Sequence, residues 1–234
     1  MRIDIDVAKV PKYGSDISGD TVDVVERRDG GLSLVMADGM GSSAEAKYTS
    51  SLVVNKATSL IAEGTRDGAA ARAAHDALYS NRGGEAEVGL IIISADFATN
   101  SLVVSRNSTC PVLVKKGEEL LVYQEQVSHI GTEQMVKPNI YMLDLVPDLV
   151  VVTFTDGFMR CGAKGSSGWE LKDIVMEVKD DLKKKSASVA MTLLDKALER
   201  DKGEPMDDIS VAVMTVSPHT ARHKIRRMQV TMPR

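Results

Sequence analysis

Apolar and polar residues alternate over residues 3–10, the period of a half-buried strand. A turn-rich stretch from Pro11 to Asp16 follows, and alternation over residues 17–25 then places Asp20 at the start of a second strand. Residues 27–31 read as a hairpin turn containing Asp29-Gly30, and the chain returns as an apolar run that ends at Ala37-Asp38. Such a hairpin carries Asp20 and Asp38 to the same end. Glycines on either side of Met40 allow positive φ and close backbone approach, and a helix over residues 43–62 begins just beyond. In that helix Ala44, Tyr48, Leu52, Asn55 and Ser59 mark one face, and Leu52, Val53, Ala57, Leu60 and Ile61 supply the apolar stripe. An alanine-rich second helix spans residues 66–79, with Asp67-Gly68 at its start and Gly83-Gly84 after it.

The period then shortens. Residues 88–95, 101–106, 111–115 and 119–123 are β-rich runs, too closely spaced to enclose crossover helices, so their pairing is antiparallel. Residues 140–145 and 149–155 are expected to form a further pair around Pro147-Asp148, the second apolar enough to be central. Asp156-Gly157 ends that strand, residues 163–168 form a glycine- and serine-rich loop, and helices over 170–183 and 187–200 precede a last strand at 209–216. The sum is one α+β domain over residues 1–217, with helices and antiparallel sheet in blocks, and a polar tail over 218–234.

Composition narrows the class of function. Aromatics are 4% of the 234 residues, so the core must be aliphatic, and the twelve methionines are expected to fill its gaps. A net charge of −4 gives no general basic face for nucleic acid or a membrane surface. No apolar run approaches the ~18 residues that span a bilayer, and the start of the chain is a strand rather than a signal peptide. Cys110 and Cys161 lack metal or redox spacing and read as reduced thiols of a cytoplasmic protein. His75, His129, His219 and His223 show no ligand spacing and are expected to be structural or exposed.

Four aspartate sites stand at strand ends: Asp20, Asp38, Asp156 and the pair Asp207-Asp208. Each alone is a turn former or helix cap, as Asp29-Gly30 and Asp67-Gly68 are. Together, carboxylates converging without cations would repel and raise one another's pKa, so such a cluster exists to hold divalent metal. All-oxygen ligation selects Mg²⁺ or Mn²⁺, and two ions ~3.5–4 Å apart suit phosphoester hydrolysis.

Ser18-Gly19-Asp20, Ala37-Asp38-Gly39-Met40-Gly41, Phe154-Thr155-Asp156-Gly157 and Asp207-Asp208-Ile209-Ser210 resemble, in order, the motifs of the PPM (PP2C-like) metal-dependent protein phosphatases of the bacterial SpoIIE type. The resemblance covers residues 15–216. Asn107-Ser108-Thr109-Cys110-Pro111-Val112-Leu113 resembles the family's Asn-Ala-Gly-His-Pro-Pro-Leu, with Cys110 in place of His and Thr109 in place of Gly. What the resemblance implies is a PP2C-like αββα sandwich, two antiparallel sheets flanked by helix pairs, with two Mn²⁺ or Mg²⁺ ions at one end. Asp38 would bridge both ions, the Gly39 carbonyl would ligate one, and Asp20, Asp156 and Asp207 would complete the set. Asp207 is preferred to Asp208 because the first residue of the family pair is the usual ligand. The implied reaction is hydrolysis of phosphoserine or phosphothreonine by a metal-bridging water, without a phosphoenzyme.

The implied partner is a phosphorylated bacterial signalling protein, a STAS-domain stress or stressosome regulator, with neither nucleic acid nor membrane involved. Because the chain begins with its first strand and carries no fused sensor, it looks most like the stand-alone stressosome phosphatases of the RsbX kind. The helices over 170–200 lie where relatives carry regulatory helices, or simply cover the sheet. Lys183-Lys184-Lys185 and the basic tail residues Arg222, Lys224, Arg226, Arg227 and Arg234 face an acidic partner or plain solvent. The alternative to an enzyme is a phosphatase-fold binding module without turnover; the four retained aspartates speak against it.

Overall fold

The computed structural model describes residues 1–41, 43–162, 169–184 and 188–232. The expected loop at 163–168, Lys185 and Arg234 lie outside these residues. Two five-stranded antiparallel sheets pack face to face. One has the order β1 (Arg2–Val10), β10 (Ile209–Ser217), β9 (Leu149–Phe154), β6 (Val112–Lys116), β7 (Glu119–Tyr123). The other runs β2 (Thr21–Glu26), β3 (Gly31–Gly39), β4 (Val88–Asp96), β5 (Ser101–Asn107), β8 (Asn139–Asp144). Helices α1 (Ser43–Ala62) and α2 (Asp67–Arg82) cover the second sheet, and α5 (Val189–Arg200) lies on β1 and β10 with α4 (Leu171–Lys184) against it. A five-residue helix, α3 (Asp156–Arg160), leaves the end of β9. This is the expected α+β PP2C-like sandwich. No helix among the described residues is long and apolar enough to cross a membrane.

The continuous apolar runs of β3 and β4 follow from this layering. Leu34, Met36, Ile91 and Ile93 point into the sandwich, while Val35, Ala37, Leu90 and Ile92 point at α1 and α2, so neither face meets water. Between β2 and β3 the turn closes through Gly30 and Gly31 at φ 98° and 105°; a Cβ on Gly31 would lie 2.0 Å from the Ala95 carbonyl oxygen. Asp67 opens α2 and is buried in an ion pair with Arg27 at 2.8 Å, which also meets Ser33 and Ser94. Asp67 is therefore structural, and Asp29 lies in the β2–β3 turn, as their spacing indicated.

Two expectations are corrected, the pairing of residues 140–145 with 149–155 and the place of the methionines. Residues 140–145 and 149–155 do not pair: β8 pairs with β5 and β9 with β6 and β10, so the chain crosses between sheets at Pro147-Asp148. Asp148 has φ 67°, so the local turn is real, but the strands it joins diverge. On α1 the expected apolar stripe holds, with Val53, Ala57 and Ile61 buried and Leu52 and Leu60 packed against the same core; Ala46, Thr49, Ser50, Val54 and Thr58 are buried beside it, and Tyr48 is half exposed. Small hydroxyl residues occupy that face because Thr49 and Thr58 return their hydroxyls to helix carbonyls at 3.1 and 2.9 Å and Ser50 donates to the Gly19 carbonyl at 2.5 Å. The methionines do not fill the core. Met36 and Met214 are buried, whereas Met135, Met142, Met176, Met206, Met228 and Met232 are exposed. Trp169 packs edge-on to Phe158, with Arg200 stacked 4.3 Å from its ring centre.

Candidate metal centre

The register Thr21↔Ala37 sets Asp20 opposite Asp38 at one end of the second sheet. Leu34 and Met36 fill the inter-sheet layer, and Asp38 is the next residue on that face. Its carboxylate thus stands where the strand would otherwise add an apolar side chain. On the opposing sheet, Thr155 follows β9 and Ser210 lies at the start of β10, and both reach across. Thr155 Oγ1 and Ser210 Oγ donate to Asp20 Oδ2 at 2.8 and 2.6 Å, and the Ser210 amide donates to Thr155 Oγ1 at 2.9 Å. Neither hydroxyl role was read from the sequence, although Thr155 and Ser210 are the polar interruptions of two apolar strands.

Burial pushes the Asp20 carboxyl up to about 7, against the pull of the two hydroxyls. Burial also pushes Asp38 up to about 8, helped by the charges of Asp20 and Asp156. The Asp156 amide approaches Asp38 Oδ2 at 3.4 Å, the outer edge of hydrogen bonding. Burial raises Asp156 as well, while Arg160 draws it back down. Arg160 joins two of the predicted residues, at 2.8 Å from Asp156 and 3.1 Å from Asp207. Lys9 and Lys47 approach the same end but donate to the Asp20 backbone carbonyl, at 2.9 and 3.3 Å, rather than to its carboxylate.

The pair at the last strand divides its work. Asp208 accepts the Gly19 amide at 2.7 Å and the Lys12 amide at 2.9 Å, which fixes the loop before Asp20. Asp207 points outward, with its side chain 40% exposed. Three glycines let these backbones touch. A Cβ would fall 2.7 Å from Ala46 Cβ at Gly19, 2.2 Å from the Ala46 oxygen at Gly39, and 2.1 Å from the Asp208 oxygen at Gly157. Gly39 is thus required by close approach, not by positive φ; only Gly41, at 112°, has the left-handed conformation expected on both sides of Met40.

The structure therefore brings Asp20, Asp38, Gly39, Asp156 and Asp207 to one end of the sandwich. Among the described residues no three His, Cys, Asp or Glu side chains close into a finished cage, and Arg160 stands between two of the candidates. The donors are nonetheless all oxygen. Buried carboxylates held at raised pKa with hydroxyl and amide contacts alone suit a hard divalent cation. His129 is structural, the first of the two expected readings, with its side chain buried beside this end: its Nε2 accepts the Thr109 amide at 3.1 Å, and its Nδ1 lies 2.8 Å from Glu87 without hydrogen-bond alignment. Cys110, where the resembled motif has His, is buried with its thiol pushed up by burial. Arg106, fully buried, donates to the carbonyls of Ser108, Cys110 and Glu125, so this segment is braced from within.

Comparison with known proteins agrees with this architecture. The Stage II sporulation protein E of Priestia megaterium is 20% identical over 222 residues, 94% of this chain; the chain spans 37% of that relative's length. Among solved structures, the PP2C phosphatase domain with a fragment of the regulatory domain of SpoIIE from Bacillus subtilis is 21% identical with a TM-score of 0.76, covering 94% of this chain and 63% of that one. RsbX in complex with magnesium is 16% identical with a TM-score of 0.70, over 92% and 96% of the two chains. The catalytic domain of the serine/threonine phosphatase PstP in complex with two manganese ions is 18% identical, with a TM-score of 0.67 over 92% and 99%. A family profile matches residues 28–217, and the chain belongs to the family it describes, Stage II sporulation protein E (SpoIIE).

Proposed function

We propose that this chain is a metal-dependent protein serine/threonine phosphatase acting on phosphoserine or phosphothreonine of a bacterial signalling protein. The observation that carries the reading is the meeting of Asp20 and Asp38, buried and raised in pKa, with Asp156 and Asp207 at one open end of the sandwich. Two divalent ions, Mn²⁺ or Mg²⁺, would be held by Asp38 between them, the Gly39 carbonyl, Asp20, Asp156 and Asp207. Bound there, they would supply Lewis acidity and the positive charge that draws a phosphate dianion to a carboxylate-lined site. The protein's own part is orientation. Thr155 and Ser210 fix one oxygen of Asp20 and leave the other available, while Asp208 clamps the amides of Lys12 and Gly19. That engagement of Asp208 supports Asp207 as the ligand of the pair.

Membership of the SpoIIE family supports a phosphoprotein substrate. The first substrate to test is a STAS-domain stress or stressosome regulator, given a fold shared with RsbX. We take residues 1–217 as the phosphatase domain and 218–234 as a tail. The proposed setting is the cytoplasm, which the free thiols of Cys110 and Cys161 suit. The test is hydrolysis of a generic aryl phosphate with added Mn²⁺, set against the same protein in EDTA. Turnover that EDTA abolishes supports the proposal. If neither this compound nor any phosphoprotein is hydrolysed with Mn²⁺ present, the enzyme reading fails and a binding module without turnover takes its place.

A further inference from the structure

Arg160 is one helical turn beyond Asp156 on α3, so the two side chains share a face. Its guanidinium lies 2.8 Å from Asp156 and 3.1 Å from Asp207, carboxylates delivered by two different strand ends. A planar fork with two nitrogens engaged in this way does what a divalent ion would do: it places positive charge between two anions and satisfies both. The neighbouring carboxylates are treated differently. Asp20 is met by hydroxyls and Asp38 by one distant amide, and the ammonium groups of Lys9 and Lys47 go to a backbone carbonyl instead. The cluster is therefore lopsided: a guanidinium touches both carboxylates on the Asp156–Asp207 side, whereas on the Asp20–Asp38 side Lys9 and Lys47 act on Asp20 only from a distance and neither contacts a carboxylate.

We propose that Arg160 is a resident counter-cation that occupies the Asp156–Asp207 side of the centre and must swing out before a divalent ion can bind there, making the two metal positions unequal. This rests on the metal-centre reading given above. The side chain is 63% exposed and has open solvent to move into, so displacement needs no rearrangement of the sheets. A guanidinium keeps its charge throughout the physiological pH range, so release comes by movement and not by loss of a proton. The Asp20–Asp38 side loads first, because an ion there displaces no side chain from the carboxylates. The second position loads against the competing guanidinium and is the weaker of the two. Arg160 is thus a positioning and selecting residue for the metal rather than a catalytic one.

The experiment is a titration of the whole protein with Mn²⁺, with free Mn²⁺ followed by electron paramagnetic resonance, for the wild type, Arg160→Gln and Arg160→Lys. The wild type should show one tighter and one weaker step. Losing two partly exposed ion pairs, Arg160→Gln should tighten the weaker step by about three- to tenfold and leave the tighter step within about twofold. Arg160→Lys, which keeps the charge without the fork, should fall between. In EDTA the Gln variant should melt below the wild type, and saturating Mn²⁺ should close that gap. A weaker step that is unchanged or loosened in Arg160→Gln overturns the inference while leaving the centre intact. No stoichiometric Mn²⁺ binding in any of the three proteins overturns the centre itself and this inference with it.

Discussion

Replacing Asp38 by Asn removes a charge that the metal-free fold must otherwise neutralise. The unfolded carboxyl titrates near 3.8 and the folded one near 8, raised by burial and by the charges of Asp20 and Asp156. At about pH 7 folding must therefore draw a proton onto a group that is ionised when unfolded. At ~1.4 kcal/mol for each pH step between the unfolded value and 7, this costs on the order of 4 kcal/mol. Asn has nearly the same shape and needs no proton. Allowing for an amide that finds incomplete partners, Asp38→Asn should stabilise the metal-free protein by about 2–4 kcal/mol, or roughly 5–15 °C in Tm. The direction with pH follows from the raised value. Proton uptake stabilises the wild type fully below the unfolded pKa, and that stability is lost as pH rises through the folded pKa. The advantage of the variant should thus be greatest above about pH 8 and vanish near about pH 4. Urea melts in EDTA across that range provide the assay. A variant no more stable than the wild type near about pH 8, or an advantage that persists undiminished to about pH 4, would refute the burial argument for this carboxylate.

Two further substitutions test the scaffold of the centre. Ser210→Ala removes one of the two hydroxyls on Asp20 Oδ2 and should weaken Mn²⁺ binding by about tenfold in calorimetry; unchanged affinity would mean that the hydroxyl does not orient the carboxylate. Gly157→Ala would place a methyl carbon 2.1 Å from the Asp208 carbonyl oxygen, and should cost about 1–3 kcal/mol in a denaturant melt; a melt identical to the wild type would show that the two strand ends are not pressed together.

Much of this fold is legible because its signals are local. The hairpin that carries Asp20 and Asp38 to one end is written in an alternating run, an Asp-Gly turn and an apolar run that ends at Asp38, and the register bears it out. The continuous apolar runs of β3 and β4 announce strands covered on both faces. The crossing from β8 to β9 is not legible, because Pro147-Asp148 specifies a bend and says nothing about which sheet receives the next strand. On α1 the stripe of Val53, Ala57 and Ile61 is legible, whereas Thr49, Ser50 and Thr58 beside it escape a hydropathy reading because they settle their hydroxyls on backbone carbonyls and count as small core residues. At the centre, the aspartates are marked by ending apolar strands beside glycine. Thr155 and Ser210 are recognised through contacts 135 and 190 residues apart, which no local spacing encodes, and Arg160 joins a local partner four residues away to one 47 residues away. The same holds for His129, whose closeness to Thr109 depends on a loop between sheets.

The central claim is that four strand-end aspartates and one glycine carbonyl form a two-ion centre, and anomalous diffraction from crystals soaked in Mn²⁺ tests it most directly. The account predicts two Mn²⁺ peaks at the end of the sandwich, with Asp38 touching both, the Gly39 carbonyl, Asp20, Asp156 and Asp207 around them, and the Arg160 guanidinium moved away from Asp156 and Asp207. Saturating Mn²⁺ that leaves this end without a peak, or that binds only at other residues, would contradict it.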